Sequence, residues 1–291
     1  MLKKAGFFTF FSLFSRLSLT FLHLLGIILG NFMYFMPNKA KKVTQTNILL
    51  AFSDENNKFK HDLIKKSLIE SSKTLLETPR VWYLNNKNLE VDFQVENEHL
   101  IKESLDRNKG VIVFTPHLGN VEVIVNFLGS RHSAVIPYKL SEIDYVDEFI
   151  KSSRESIGAK MVPTSISGVR TALIELRKSK LITIASDQVP INKKSGLISN
   201  FFGVPSLSTT LVHSLASKVD CPVHTLTCLR KSNGIFQMIY SEELKDFGRL
   251  SQQEGVDIMN KELEKCIMNA PEQYAWEYKK YKHSTQNDLY K

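Results

Sequence analysis

Three cysteines in 291 residues are too few and too scattered to form a disulfide framework, and they suit a reducing compartment. Thirteen glycines and nine prolines exclude a collagen-like or low-complexity chain. Neither G-x-x-x-x-G-K-[ST] nor G-x-G-x-x-G occurs, so nucleotide binding has no support. The most informative absence is local. No Asp or Glu precedes Asp54, whereas Lys3, Lys4, Arg16, Lys39, Lys41 and Lys42 all fall in that stretch. These cations carry most of the net charge of +8, and the rest of the chain is nearly balanced. A nucleic-acid binder would place its basic face on the folded domain, so no nucleic-acid partner is expected. A basic segment beside an apolar one points to anionic membrane lipids.

What is present begins with that apolar segment. Leu17 to Met36 holds no charged side chain, and the charge-free run continues to Lys39. About 20 apolar residues in a helix span the hydrocarbon core of a bilayer. A second apolar patch, Gly6 to Phe14, precedes Arg16. The region is longer than the usual core of a signal peptide, and no small-x-small cleavage site follows Met36. His23 and Asn31 also allow a helix lying in the interface, and cations on both sides leave orientation open. The expected organisation is a membrane anchor with basic flanks over residues 1–42 and one α/β domain over 43–291. A cleavable signal and a buried helix of a soluble domain are the alternatives.

Beyond the anchor, apolar residues from Phe59 to Leu84 recur at helical spacing, and the helix is expected to end near Pro79. Val111–Thr115, Ser133–Tyr138 and Leu181–Ser186 are short apolar runs typical of strands covered on both faces. Ser141–Ile157 and Ser165–Lys178 read as helices between or beside them. Val189–Pro205 reads as loop and Ser206–Lys218 as helix. VHTLTCLR and IFQMIYSE read as strands joined by a tight turn, and Glu254–Met268 and Glu272–Tyr281 as closing helices. Alternating strands and helices predict an α/β fold with a mostly parallel central sheet flanked by helices, preceded by an N-terminal membrane helix.

The sequence TPHLGNVE, Thr115 to Glu122, follows the strongest of these strands. In open α/β sheets, reactive groups gather at the carboxyl ends of strands. His117 would lie at such an end and Glu122 early in the next helix. Five positions along a continuous helix would not align the two, but Gly119 and Asn120 permit a turn. A neutral imidazole can take a proton from a hydroxyl, while a carboxylate on its other nitrogen fixes the tautomer and stabilises the imidazolium. A substrate hydroxyl could then attack an acyl group directly, with no acyl-enzyme. H-x₄-E alone is a weak pattern, equally compatible with a His at a strand end and a Glu on a solvated helix face. Cys221 and Cys228 flank His224, but the spacing is loose for zinc and fits buried strand residues better. No cofactor and no metal are expected.

A strand followed by H-x₄-E, behind an apolar N-terminal segment, resembles the lysophospholipid acyltransferase superfamily. Within it the chain is most similar to the bacterial lipid A secondary (lauroyl/myristoyl) acyltransferases. Further matches follow in order: Arg154-Glu155, Asp187-Gln188, Phe201-Phe202-Gly203 with Ser208-Thr209-Thr210, and Pro271-Glu272-Gln273-Tyr274 with Trp276. Together they cover most of the chain. Pro116 stands where the glycerolipid branch commonly has Asn, and that branch's E-G-[TS]-R motif is missing. The resemblance implies transfer from acyl carrier protein to a hydroxyl of a lipid A precursor, in the cell inner membrane with the catalytic domain on the cytoplasmic side. It implies His117 as general base, Glu122 as its orienter, and Arg154 holding a phosphate or developing oxyanion. Asp187 would bind acceptor hydroxyls or position Arg154, and Phe201 and Phe202 would either line an acyl groove or simply fill core. Other glycolipids or lysophospholipids are alternative acceptors, and a non-catalytic membrane tether is an alternative of a different class.

Overall fold

The β-branched runs form the strands that the pattern predicts. The computed structural model describes residues 2–83, 93–284 and 289–290. Strands β1 (Phe93–Glu96), β2 (Val111–Thr115), β3 (Val135–Tyr138), β4 (Lys160–Pro163), β5 (Leu181–Ala185), β8 (Val223–Arg230) and β9 (Phe236–Tyr240) make one seven-stranded sheet. Its order is β1-β9-β8-β2-β5-β3-β4. All neighbours are parallel except β8 and β9, a hairpin joined through Lys231–Gly234. β2 lies at the centre with all five residues buried, as a strand covered on both faces requires. Alternate residues serve opposite layers. Ile112 and Phe114 face α3 (Lys39–Ala51), α4 (Asn57–Tyr83), α8 (Ile166–Arg177), α9 (Leu211–Val219) and α10 (Gln252–Met268). Val111 and Val113 face α5 (Glu98–Asp106) and α6 (Val121–His132), with α7 (Asp144–Ser156) beyond. β1 and β4 are four residues each and were not read from the sequence.

Several expectations are corrected. The helix from Phe59 does not stop at Pro79; α4 runs through it to Tyr83. Proline removes one helix bond, but the turn after it is held from outside. Arg80 Nη1 donates to the carbonyls of Ser15 (3.2 Å) and Leu17 (3.1 Å), and Trp82 stacks on Phe11 with ring centroids 5.5 Å apart. The expected loop and the first residues of the expected helix form a hairpin instead, β6 (Gly196–Phe201) and β7 (Val204–Thr209). Its two-residue turn puts Phe202 at φ 49° and Gly203 at φ 72°. Phe202 tolerates that backbone because its ring packs on Phe52 and Trp276 and its N–H donates to Glu264 at 2.6 Å. Pro271–Gln273 is a short 3₁₀ turn, and no helix covers Glu272–Tyr281. Within that stretch Gln273 and Ala275 make backbone bonds to the loop after β2, described below.

The N-terminal run is also different. It forms two helices, α1 (Leu2–Ser15) and α2 (Leu19–Phe35), whose axes differ by 117°. No single helix among the described residues is long and apolar enough to cross a membrane. The 17 residues of α2 extend about 26 Å, short of a hydrocarbon core of about 30 Å. α2 packs lengthwise on α4. A Cβ on Gly30 would lie 2.4 Å from the Ile69 Cα, so only glycine allows this backbone approach.

Candidate active site

Register brings the reactive groups together. In the β2–β5 pairing Thr115 stands opposite Ala185, so the chain two residues further on each strand carries His117 and Asp187. His117 Nδ1 lies 2.6 Å from Asp187 Oδ1. The other oxygen, Oδ2, accepts from the Tyr274 hydroxyl at 3.0 Å. Burial disfavours the Asp187 carboxylate, but the charge and hydrogen bond of His117, with the Lys280 ammonium nearby, outweigh it and hold the carboxyl below its usual range. Burial likewise disfavours the imidazolium of His117. The charge and hydrogen bond of Asp187, with further help from Glu122 and Glu277, outweigh it and raise His117.

Nε2 of His117 faces a cleft of about 420 Å³, where the Gln188 side-chain amide sits 3.2 Å away. Ser71, Thr74 and Thr78 of α4 line the same cleft, together with Glu122 and Glu277. Burial raises the Glu277 carboxyl, which accepts from Ser71 Oγ at 2.9 Å.

Glu122 is not the partner of His117. The chain turns at Gly119, as expected, and Asn120 caps α6 by accepting from the Glu122 N–H at 2.9 Å. Glu122 then meets Arg154 of α7 through two parallel bonds, Nη2 to Oε1 at 2.6 Å and Nε to Oε2 at 3.0 Å. The two carboxylates therefore exchange the places that the sequence assigned them. Asp187 holds the imidazole and Glu122 holds the guanidinium. A buried Arg154 would lose charge to desolvation, but Glu122 more than offsets that and keeps it a cation.

The arrangement is an imidazole held by a carboxylate at the carboxyl ends of β2 and β5, with the nearby Glu122 fixing a guanidinium of α7, and it could activate a hydroxyl in many kinds of transferase. The comparison with known proteins narrows it. Residues 7–283 match the model of the family described as bacterial lipid A biosynthesis acyltransferase. The chain belongs to that family. It is an acyltransferase. A lipid A biosynthesis palmitoleoyltransferase of Escherichia coli (strain K12) is 23% identical over 265 residues, covering 89% of this chain and 84% of that protein. A lipid A biosynthesis acyltransferase of Shigella flexneri matches at the same 23%. A lipid A biosynthesis lauroyltransferase of Escherichia coli (strain K12) is 21% identical over 270 residues.

In this acyltransferase several groups about the site were not legible beforehand. Residues 273–275 lie along the loop carrying His117. Gly119 N donates to Gln273 O and Ala275 N to His117 O, both at 3.0 Å, and Leu118 bridges Tyr274. Gly119 has φ +64°, and a Cβ there would lie 2.5 Å from the Cys228 carbonyl oxygen. Beneath the loop, Glu77 is fully buried against Arg230, accepts from Asn120 Nδ2 at 3.0 Å, and lies 2.7 Å from His23 Nε2. Burial alone would raise Glu77, but Arg230 and His23 hold its pKa down at about 2. No local pattern marks Glu77 or Arg230, since each owes its role to a contact across the fold. Phe201, the last residue of β6, is wholly buried in the core and does not line the cleft. His224 spends its nitrogens on Ser104 Oγ (2.9 Å) and the Ser241 carbonyl (3.0 Å).

Proposed function

We propose that this acyltransferase moves a fatty acyl chain from acyl carrier protein to a hydroxyl of a lipid A precursor, at the cytoplasmic face of the cell inner membrane. Family membership supports acyl transfer onto lipid A. The carrying observation for the mechanism is His117, with one nitrogen on buried Asp187 and the other directed into the cleft. His117 Nε2 takes the proton of the acceptor hydroxyl, and the oxygen attacks the thioester carbonyl. The tetrahedral oxyanion collapses, the C–S bond breaks, and the imidazolium returns its proton to the leaving sulfur. Asp187 holds the Nδ1–H and stabilises the imidazolium. Glu122 fixes Arg154, whose charge stabilises the oxyanion or a phosphate of the acceptor. No side chain forms a covalent intermediate.

The test is lipid A mass spectrometry in a strain lacking the protein, complemented with wild type, His117→Ala or Asp187→Asn. The expected result is loss of one acyl-chain mass in the deletion, restored by wild type and not by His117→Ala. An unchanged lipid A in the deletion strain would refute the acceptor and turn attention to other glycolipids and the glycerolipids. Full restoration by His117→Ala would refute the mechanism.

A further inference from the structure

Two segments at the mouth of the cleft carry cations and no acidic residue of their own. One is the loop after β5, Gln188 to Ser195, with Lys193 and Lys194; the other is the turn from Tyr278 to Ser284, with Lys279, Lys280, Lys282 and His283. Asp187 and Glu277, just before them, are engaged by His117 and Ser71. Tyr278 joins the two segments. It lines the cleft beside His117 and Gln188, its hydroxyl accepts from the Val189 N–H at 3.0 Å, and the Lys282 ammonium lies 5.7 Å from its ring centroid. The loop is pinned at its far end too. Thr210 N and Oγ1 both donate to the Ser195 carbonyl at 3.1 Å, and within the loop Asn192 Oδ1 accepts from the Lys194 N–H at 3.0 Å. Lys193, Lys194 and Lys282 are exposed, and Ile191 stands 71% exposed in the same loop. His283 senses the field of this rim: its imidazole is pushed below its usual range, first by partial burial and then by the charges of Lys193 and Lys282. A surface that disfavours one more cation favours an anion.

The reaction proposed above draws its acyl group from a thioester carried on a protein. That thioester must reach His117 Nε2, while the body of its carrier is too large for a cleft of about 420 Å³ and stays outside, on the rim. We infer that the Gln188–Ser195 loop and the Tyr278–Ser284 turn form the seat on which the donor carrier protein docks, with an acidic surface of the carrier against Lys193, Lys194 and Lys282 and an apolar side chain against Ile191. The inference rests on the donor reading given above and adds where that donor binds. The loop begins at Gln188, whose amide lies 3.2 Å from His117 Nε2, so the seat adjoins the base. Exposed lysines around one exposed apolar side chain match the apolar centre and polar rim of a protein interface. A phosphate of the acceptor would call for cations converging on one point; these are spread over two segments and lie in water. Both ends of the loop are already bonded, so docking spends little free energy on ordering it. Attraction between rim charges speeds encounter more than it tightens a complex, which suits a carrier that must leave once its acyl chain is gone.

The test uses the full chain in detergent with two donors of the same acyl group, one on acyl carrier protein and one as the pantetheine thioester. At low ionic strength, the double variant Lys193→Glu with Lys194→Glu, and Lys282→Glu alone, should each raise KM for the carrier-protein donor by about tenfold with kcat held. KM for the acceptor and the rate from the pantetheine thioester should stay at their wild-type values. Added salt should raise the wild-type KM for the carrier-protein donor toward that of the variants. Lys180→Glu, an exposed site at the amino end of β5 and away from the cleft, should change nothing. Unchanged KM for the carrier-protein donor in both variants would overturn the inference and leave the donor reading intact. A rise confined to KM for the acceptor would overturn it too and assign the lysines to an anionic group of that lipid. An equal loss with both donors would do the same, since a seat for the carrier's body cannot act on a donor without one. Wild-type protein that uses the pantetheine thioester and not the carrier-protein donor would overturn the donor reading itself, and the seat with it.

Discussion

His117 has two ring nitrogens, and the fold gives each a different task. Asp187 raises the proton affinity of the ring against the burial that opposes it. A general base must be neutral to act, so activity should fall as pH drops through a value above the ordinary imidazole pKa of about 6.5, and hold above it. Asp187→Asn removes the charge responsible. It should move that limb to lower pH and cost about 10²–10⁴ in kcat, as measured by a kcat/KM profile on both proteins. A limb that stays in place would break the link between the two residues. Tyr274 acts one step further out, since its hydroxyl holds Asp187 Oδ2. Tyr274→Phe should lower kcat by about tenfold, the scale of one hydrogen bond to a charged group, with KM little changed. Steady-state kinetics on purified protein checks this. At this scale the four polar residues singled out in the sequence form two contacts in the structure, His117–Asp187 and Glu122–Arg154. The sequence mispaired them because H-x₄-E is a spacing along one chain, whereas the His117–Asp187 contact is a spacing between two strands.

Elements carry the next set of consequences. The loop after β2 is clamped from three sides: by Thr74 Oγ1 on the Gly119 carbonyl at 2.9 Å, by residues 273–275, and by the Glu77–Asn120 bond. Gly119→Ala would push a methyl toward the Cys228 carbonyl in a backbone conformation that L-residues avoid. It should cost at least about 1–3 kcal/mol, visible as a lowered Tm, and disturb His117 along with it. The Glu77–Arg230 pair anchors the same region from below. Arg230→Met leaves a buried carboxylate with its main cation gone, and breaking such a pair costs about 3–5 kcal/mol. Thermal unfolding of this variant should show a far larger loss than Arg249→Met, an exposed pair at the surface. Five of the seven sheet strands were legible because apolar runs rich in β-branched residues leave a strong pattern; β1 and β4, at four residues each, are too short to leave one. The hairpin of β6 and β7 was not. Gly196, Gly203 and Pro205 read as loop chemistry, and the packing of Phe202 that closes its turn is tertiary. The expected closing helix over Glu272–Tyr281 failed for a related reason: Gln273 O and Ala275 N bond to the loop carrying His117, and the Trp276 and Tyr278 carbonyls accept from Asn47.

The whole molecule places the N-terminal helices, the core and the cleft around one helix. α4 receives α2 along one side, the core along another and the cleft along a third. α3 runs through the boundary expected at residue 42, so the parts on either side of it should not fold apart. Deleting residues 1–35 would uncover the α4 surface beneath Leu22, Gly26 and Gly30 and leave Glu77 without His23. Such a protein should fail to accumulate as a soluble, cooperatively unfolding species; sedimentation of the lysate and a melting curve test this. A soluble truncated protein with a sharp transition would show that α2 is dispensable for folding. From the sequence alone came the α/β class, the reaction family and the basic apolar N-terminus, because hydrophobic period, charge and short motifs are written in neighbouring residues. The tertiary structure alone decided which carboxylate meets His117, that Glu122 serves Arg154, that Tyr274, Glu77 and Arg230 support the site, and that α2 is bound along its length to α4. Those are contacts between positions far apart in the chain, set by strand register and helix packing, and no local pattern encodes them.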